Sequence, residues 1–258
     1  MPCSICKTAG HNKNNRKFHP LTKTDVVENM VTSPQMSLAH EYPYMKELNA
    51  VCQGFVGEII PFLTTTFRGT VTQSSNVDSF GDTFQELIFP YLKQALPDFE
   101  KGRSGSPPDF YGLDKRFSFE LKVFKDSPGF DISNFTSFIN QIATDGGLIP
   151  KIFKTKYIVF KYTVVETGFK ITDLWIMDIW NLPKYDGKNA ISCQKKHGMC
   201  YNLRSGSSSS WNDKTKNAKI FLDSILLAMD LDDKIQNKEK LRESIMKNME
   251  EAKTLGFL

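Results

Sequence analysis

No stretch of this sequence stays apolar for the roughly 20 residues that a helix needs to cross a bilayer. It does not open on the apolar core of a secretory leader either. Both absences lead to the expectation of a soluble, cytoplasmic protein with no membrane partner. Cysteine is scarce and odd in number, five in 258 residues, whereas disulfide frameworks of small secreted domains are dense and even. Charge of one sign is lacking as well. The 33 Lys and Arg nearly balance the 29 Asp and Glu, which leaves +4. So slight an excess permits a polyanionic partner without announcing one, because basic residues can still gather in a single cleft. What is abundant is phenylalanine, 20 residues, within a chain that is 40% hydrophobic and 24% charged. That composition is globular. It suits a mixed core of sheet and helix, and the length allows one domain with room for a small appendage.

The most informative stretch is Ser106-Pro107-Pro108-Asp109-Phe110-Tyr111-Gly112 followed by Phe117-Ser118-Phe119-Glu120-Leu121-Lys122-Val123. Alternation in the second half predicts a strand. Phe117, Phe119, Leu121 and Val123 take one face, and Ser118, Glu120 and Lys122 take the other. Gly112 to Arg116 is turn-like and folds the chain back, so that Asp109 comes near Glu120. Two carboxylates and a lysine then converge. Such carboxylates hold a divalent cation through hard oxygens, and a lysine beside them can orient a water and stabilise charge on a phosphate.

Pro108-Asp109 with Glu120-Leu121-Lys122 resembles the PD-(D/E)xK signature of metal-dependent nucleases, the superfamily of most type II restriction endonucleases. The resemblance covers residues 78 to 180. It implies an α/β fold, a restriction-endonuclease-like mixed central sheet flanked by helices. It also implies Mg²⁺ held by Asp109, Glu120 and the carbonyl of Leu121, with Lys122 positioning the attacking water. Cleavage would leave a 5′-phosphate and a 3′-hydroxyl. Double-stranded DNA is the implied partner, and many such enzymes act as homodimers on two-fold sites. Pro97-Asp98 is a second Pro-Asp within the spacing that the superfamily shows. Asp109 is preferred because it begins a strand, whereas Asp98 closes a helix. That helix starts near Asp78 and carries Phe80, Phe84, Leu87, Ile88, Tyr91 and Leu92 as its apolar stripe, with Pro90 set to kink or end it near Phe89. Relatives often aim a helical Glu at the metal, which makes Glu86 a candidate, although an ideal helix turns it away from the stripe. Lys101 and Arg103, in the loop before the strand, are candidate phosphate contacts. The polar run from Thr64 to Asn76 reads as a strand or as a loop available to DNA.

The N-terminus carries a second pattern. Cys3, Cys6 and His11 have the spacing of the first three ligands of a zinc knuckle. The fourth position holds Arg16, so His19 would have to complete the set. Residues 1–20 are therefore a candidate zinc-binding segment ahead of a nuclease domain at 21–258 that ends in helices. The competing reading is a basic tail with unligated thiols. Further along, Tyr44 to Ile60 has helical spacing up to Pro61, and Asp131 to Asp145 reads as a helix capped by Asp131 or Ser133. Gln141 lies on its polar side and is of the kind that helps to order a site. Lys156–Val165 and Phe169–Trp180 read as strands joined at Glu166-Thr167-Gly168, the second of them central. Lys184 to Trp211 looks irregular, and its Cys193, His197 and Cys200 could bind zinc or be ordinary loop residues. Arg204, at the start of a serine-rich loop, is a candidate base contact. Asp213–Met229 and Asp232–Leu255 are amphipathic helices. Two other functions remain open from sequence. One is a repair or recombination nuclease on the same fold, directed by DNA structure. The other is a zinc-bearing nucleic-acid-binding protein whose Glu-x-Lys is incidental.

Overall fold

A computed structural model describes residues 41–67, 70–74, 80–103, 107–185, 191–197 and 199–258. Cys3, Cys6, His11 and His19 lie outside the described residues. Helix α1 (Glu41–Gln53) is shorter than the spacing suggests. Gly54 and Gly57 follow it, Gly57 turns the chain at a φ of 97°, and Ile59–Pro61 enters a sheet as β1. β2 (Leu63–Phe67) and β3 (Thr70–Ser74) form an antiparallel ribbon. Helix α2 (Phe80–Ala95) runs through Pro90, because the buried Ile88 and Leu92 flank the proline and anchor both sides of it.

β4 (Glu100–Lys101), β5 (Phe110–Gly112) and β6 (Phe117–Phe124) come next. Asp131–Asn134 is a strand, β7, and not a first helical turn. Helix α3 (Phe135–Ala143) starts after it, capped by Asn134, whose Oδ1 accepts from the Ser137 N–H at 3.0 Å. The short α4 (Leu148–Ile152) leads into β8 (Thr155–Val165) and β9 (Gly168–Asp178). The stretch expected to be irregular contains the hairpin β10 (Cys193–Lys196) and β11 (Met199–Arg204). Helices α5 (Ala218–Asp230) and α6 (Lys238–Thr254) close the described chain.

The main sheet has six strands in the order β1-β9-β8-β6-β5-β4. Among the described strands only β6 and β8 run parallel, and α3 and α4 make the crossover between them. A three-stranded sheet, β10-β11-β7, stands beside it. β9 is less central than its apolar run suggests. β1 covers only its first residues, Gly168 to Lys170, so among the described residues Asp173 to Asp178 pairs with β8 alone. Alternate residues of β8 feed two cores. Ile158 and Phe160 join Phe119, Leu121 and the buried stripes of α1 and α2. Tyr157 and Val159 join α3, α4, α5 and α6. The central sheet is thus covered by helices on both faces, as an α/β fold requires. Among the described residues no helix is long and apolar enough to cross a membrane.

Candidate active site

The β5–β6 hairpin pairs Phe110 with Phe119, and one step further along the same register Asp109 stands opposite Glu120. Asp109 contributes a side-chain acceptor at the point where the backbone ladder stops: its Oδ2 accepts from the Leu121 N–H at 2.7 Å. The N–H and C=O of one strand residue face the same neighbour, so the Leu121 carbonyl lies along the edge that Asp109 occupies. The Asp109 backbone is fixed from the other side, where Gly102 donates its N–H to the Asp109 carbonyl at 2.7 Å. A Cβ on Gly102 would sit 1.6 Å from the Pro108 carbonyl oxygen, so only glycine allows this approach.

β6 alternates as its sequence indicates. Phe117, Phe119 and Leu121 are buried in the α1/α2 core, which sends Ser118, Glu120 and Lys122 to the face that carries α3 and α4. Glu120 is only 6% exposed. The Lys122 Nζ lies 3.7 Å from its Oε2. Burial raises the Glu120 carboxyl above the usual range, Lys122 opposes that shift, the neighbouring Asp109 adds to it and Lys151 opposes it. The Tyr157 phenol, paired across the parallel ladder with Glu120, is pushed well up by burial and then by the charges of Glu120 and Asp109. Two carboxylates crowded into a poorly solvated corner form a site that favours a cation.

Lys151 was not picked out in the sequence. It lines a cleft of about 320 Å³ together with Pro108, Ser118, Glu120, Gln141 and Thr155. Burial lowers its ammonium pKa, Glu120 opposes that and Lys122 reinforces it. One signal could have found it. A parallel neighbour to β6 must be reached by a crossover that returns the chain to the start of the sheet. The residues just before Thr155 therefore come back beside Ser118. Gln141, noted above for its polarity, is a wall of the same cleft.

The other candidates lie elsewhere. Glu86 is a correction. It sits on α2, which packs against the face of β6 opposite to Glu120, and it is exposed and ion-paired with Lys101. The buried stripe Phe80, Phe84, Ile88 and Leu92 determines the rotation of α2, and that rotation aims Glu86 at solvent. Lys101 is taken up by Glu86 and lies 5.0 Å from the centre of the Phe89 ring. Asp98 is at the closed end of the hairpin, where its Oδ2 accepts from the Asp114 N–H at 3.0 Å. The structure therefore brings Asp109, and not Asp98, to Glu120. Arg103 is exposed near the hairpin. Arg204 ends β11 and pairs with Asp131 at 2.8 Å. Trp211, at the far end of the serine-rich loop, is core and donates its indole N–H to the Leu182 carbonyl at 3.1 Å. Cys193 and Cys200 belong to the β10–β11 hairpin. Among the described residues no group of three or more His, Cys, Asp or Glu side chains is arranged to hold a metal ion.

This chain belongs to a family of restriction endonucleases: the NgoBV restriction endonuclease family model matches its residues 47–251. It is 30% identical over 136 residues to the type II restriction enzyme NlaIV of Neisseria lactamica, a match covering 50% of this chain and 54% of that enzyme. With the type II restriction enzyme NgoBV of Neisseria gonorrhoeae it shares 27% identity over 130 residues, 48% of this chain and 71% of that one. The matched segment thus spans about half the length of the first of these relatives. A solved structure of NlaIV restriction endonuclease superposes with a TM-score of 0.65 at 20% identity, covering 85% of this chain and 91% of that one. At that identity the likeness supports the fold.

Proposed function

We propose that this chain is a Mg²⁺-dependent, sequence-specific endonuclease of double-stranded DNA, of the PD-(D/E)xK kind, with residues 21–258 as its nuclease domain. The observation that carries the proposal is the pairing of Asp109 with Glu120 beside Lys122, on the β5–β6 hairpin of a chain whose family is that of restriction endonucleases. The donor set fits the ion. Mg²⁺ takes hard oxygens, commonly from one or two carboxylates, and keeps several waters. A third carboxylate is therefore not needed. The crowding that raises the Glu120 carboxyl is relieved by a cation.

Asp109, Glu120 and the Leu121 carbonyl would hold Mg²⁺. Bound there, it supplies positive charge for the non-bridging oxygens of the scissile phosphate. The chain does the rest. Lys122, anchored by the apolar face of β6, holds a water by its ammonium and makes that water easier to deprotonate. The Asp109–Leu121 hydrogen bond keeps the first carboxylate from rotating away. Attack in line on phosphorus releases the 3′-oxygen and leaves a 5′-phosphate. Two chains related by a two-fold axis would match a two-fold recognition sequence, and sedimentation with and without DNA tests that assembly.

Incubation of the protein with unmethylated genomic and plasmid DNA, with Mg²⁺ or with EDTA, tests the function. Discrete fragments with Mg²⁺ alone are expected. A smear would indicate a nuclease directed by structure or by nothing. Intact DNA in both lanes from folded protein would reject the nuclease reading.

A further inference from the structure

The cleft beside Glu120 contains a cation that the mechanism above does not use. Lys122 lies two residues along the strand from Glu120. Lys151 approaches from α4, on the side of Ser118 and Thr155. Glu120 is thus flanked by two ammonium groups carried on separate elements. Lys151 has no carboxylate within ion-pairing distance among the described residues, and its Nζ lies 6.0 Å from the centre of the Phe138 ring.

Its position is built rather than incidental. Thr155 Oγ1 donates to the Pro150 carbonyl at 3.0 Å, and the Ser118 and Thr155 hydroxyls are 3.0 Å apart. A chain of hydroxyls therefore ties β6, two residues before Glu120, to the residue just before Lys151. The turn from α3 into α4 is equally tight. A Cβ on Gly147 would stand 2.1 Å from the Gln141 carbonyl oxygen, so glycine at this position is what lets Gln141 and Lys151 share one cleft. A partly desolvated ammonium that lines an open cleft, on a backbone tied down by hydrogen bonds at its neighbours, is arranged to receive an anion from outside.

We propose that Lys151 is a second phosphate-binding residue of this cleft, gripping the DNA backbone on the side of Glu120 away from Lys122. Gln141 shares that wall. This rests on the nuclease reading for the identity of the anion, a DNA phosphate. The contact would place a backbone phosphate along the Ser118–Thr155 seam and align the scissile bond over Asp109 and Glu120.

The test compares wild-type protein with Lys151→Gln and Lys151→Arg. The probes are a plasmid carrying mapped cut sites, for cleavage, and a duplex fragment of it, for binding in EDTA across a salt series. Thermal melting of each variant first establishes that it is folded. Lys151→Gln is expected to lower kcat/KM by about tenfold, the worth of one charge-assisted contact. It is also expected to make the slope of log K against log salt shallower by about 0.9, the loss of one phosphate contact. Lys151→Arg should restore the slope, since it keeps the charge. Wild-type slope and wild-type cleavage in folded Lys151→Gln would overturn the proposal. If the wild-type protein binds DNA but does not cut it, the nuclease reading fails, and the salt slope still decides whether Lys151 meets a phosphate.

Discussion

Asp109 has two roles that two substitutions can separate. Its Oδ2 accepts from the Leu121 N–H at 2.7 Å, and its charge is proposed to hold the cation. Asp109→Ala removes both roles. Leu121 is 6% exposed, so water reaches its N–H poorly, and an orphaned donor of this kind costs about 1–3 kcal/mol. For a domain of this size each kcal/mol lowers Tm by about 2–4 °C, which gives a fall of roughly 2–12 °C. Asp109→Asn keeps an accepting oxygen and removes a negative charge beside the buried Glu120, whose carboxyl it helps to raise. Its Tm in EDTA should equal or exceed that of the wild type. Both variants should lose cleavage by about a hundredfold or more, as expected when a metal ligand is removed. Scanning calorimetry in EDTA, together with plasmid cleavage in Mg²⁺, reads both effects. If the Asn variant melts as low as the Ala variant, the hydrogen-bond argument is wrong. If the Asn variant cuts at the wild-type rate, the ligand assignment is wrong.

Other outcomes follow from the same geometry. Glu120→Gln should melt higher than wild type in EDTA, because a desolvated carboxylate becomes neutral, and it should lose both cleavage and the Mg²⁺-dependent rise in Tm; a lower Tm in EDTA would count against the crowding. Glu86→Gln removes an exposed ion pair worth at most about 1 kcal/mol, and cleavage assays should find its rate unchanged. Gly102→Ala drives a methyl to 1.6 Å from the Pro108 carbonyl oxygen, so melting should show a loss of at least about 2 kcal/mol, with weaker cleavage as Asp109 shifts. Burial lowers Lys216 to about 8 while its ammonium donates to the Asn181 and Pro183 carbonyls. Between that value and the ordinary lysine range the unfolded chain binds more protons than the folded one, so this residue's contribution to stability rises with pH across that window. Chemical denaturation of Lys216→Met across the same window should show a smaller rise.

The sequence exposed the hairpin because its signals were local. Phe117, Phe119 and Leu121 alternate with Ser118, Glu120 and Lys122, and Gly112 to Arg116 makes the turn, so no distant residue was needed to place Asp109 against Glu120. The sheet-and-helix class was legible for the same reason. Errors arose where a distant partner decided the outcome. Asp131–Asn134 carries capping residues and reads as the start of a helix, yet pairing with β11 makes it a strand. The run Asp173 to Asp178 is apolar enough to look central, although among the described residues only β8 covers it. Pro90 did not end its helix because burial on both sides outweighs one missing hydrogen bond. Glu86 was drawn in by a family habit, while the rotation of its helix, legible from Phe80, Phe84 and Ile88, pointed it outward. Lys151 escaped because its place depends on a parallel crossover, which no local pattern announces.

Asn248 of α6 donates to the Ile142 and Thr144 carbonyls at 2.9 and 2.8 Å, and so holds the end of α3 from more than a hundred residues downstream. That end is where Gln141 and Thr144 wall the cleft. During synthesis the carboxylate hairpin emerges early, but the wall beside it stays unpinned until the ribosome has passed residue 248. The order of translation thus delays a finished cleft until almost all of the described chain exists, and a chain cut short before α6 would carry Asp109, Glu120 and Lys122 without the surface that aligns a substrate over them.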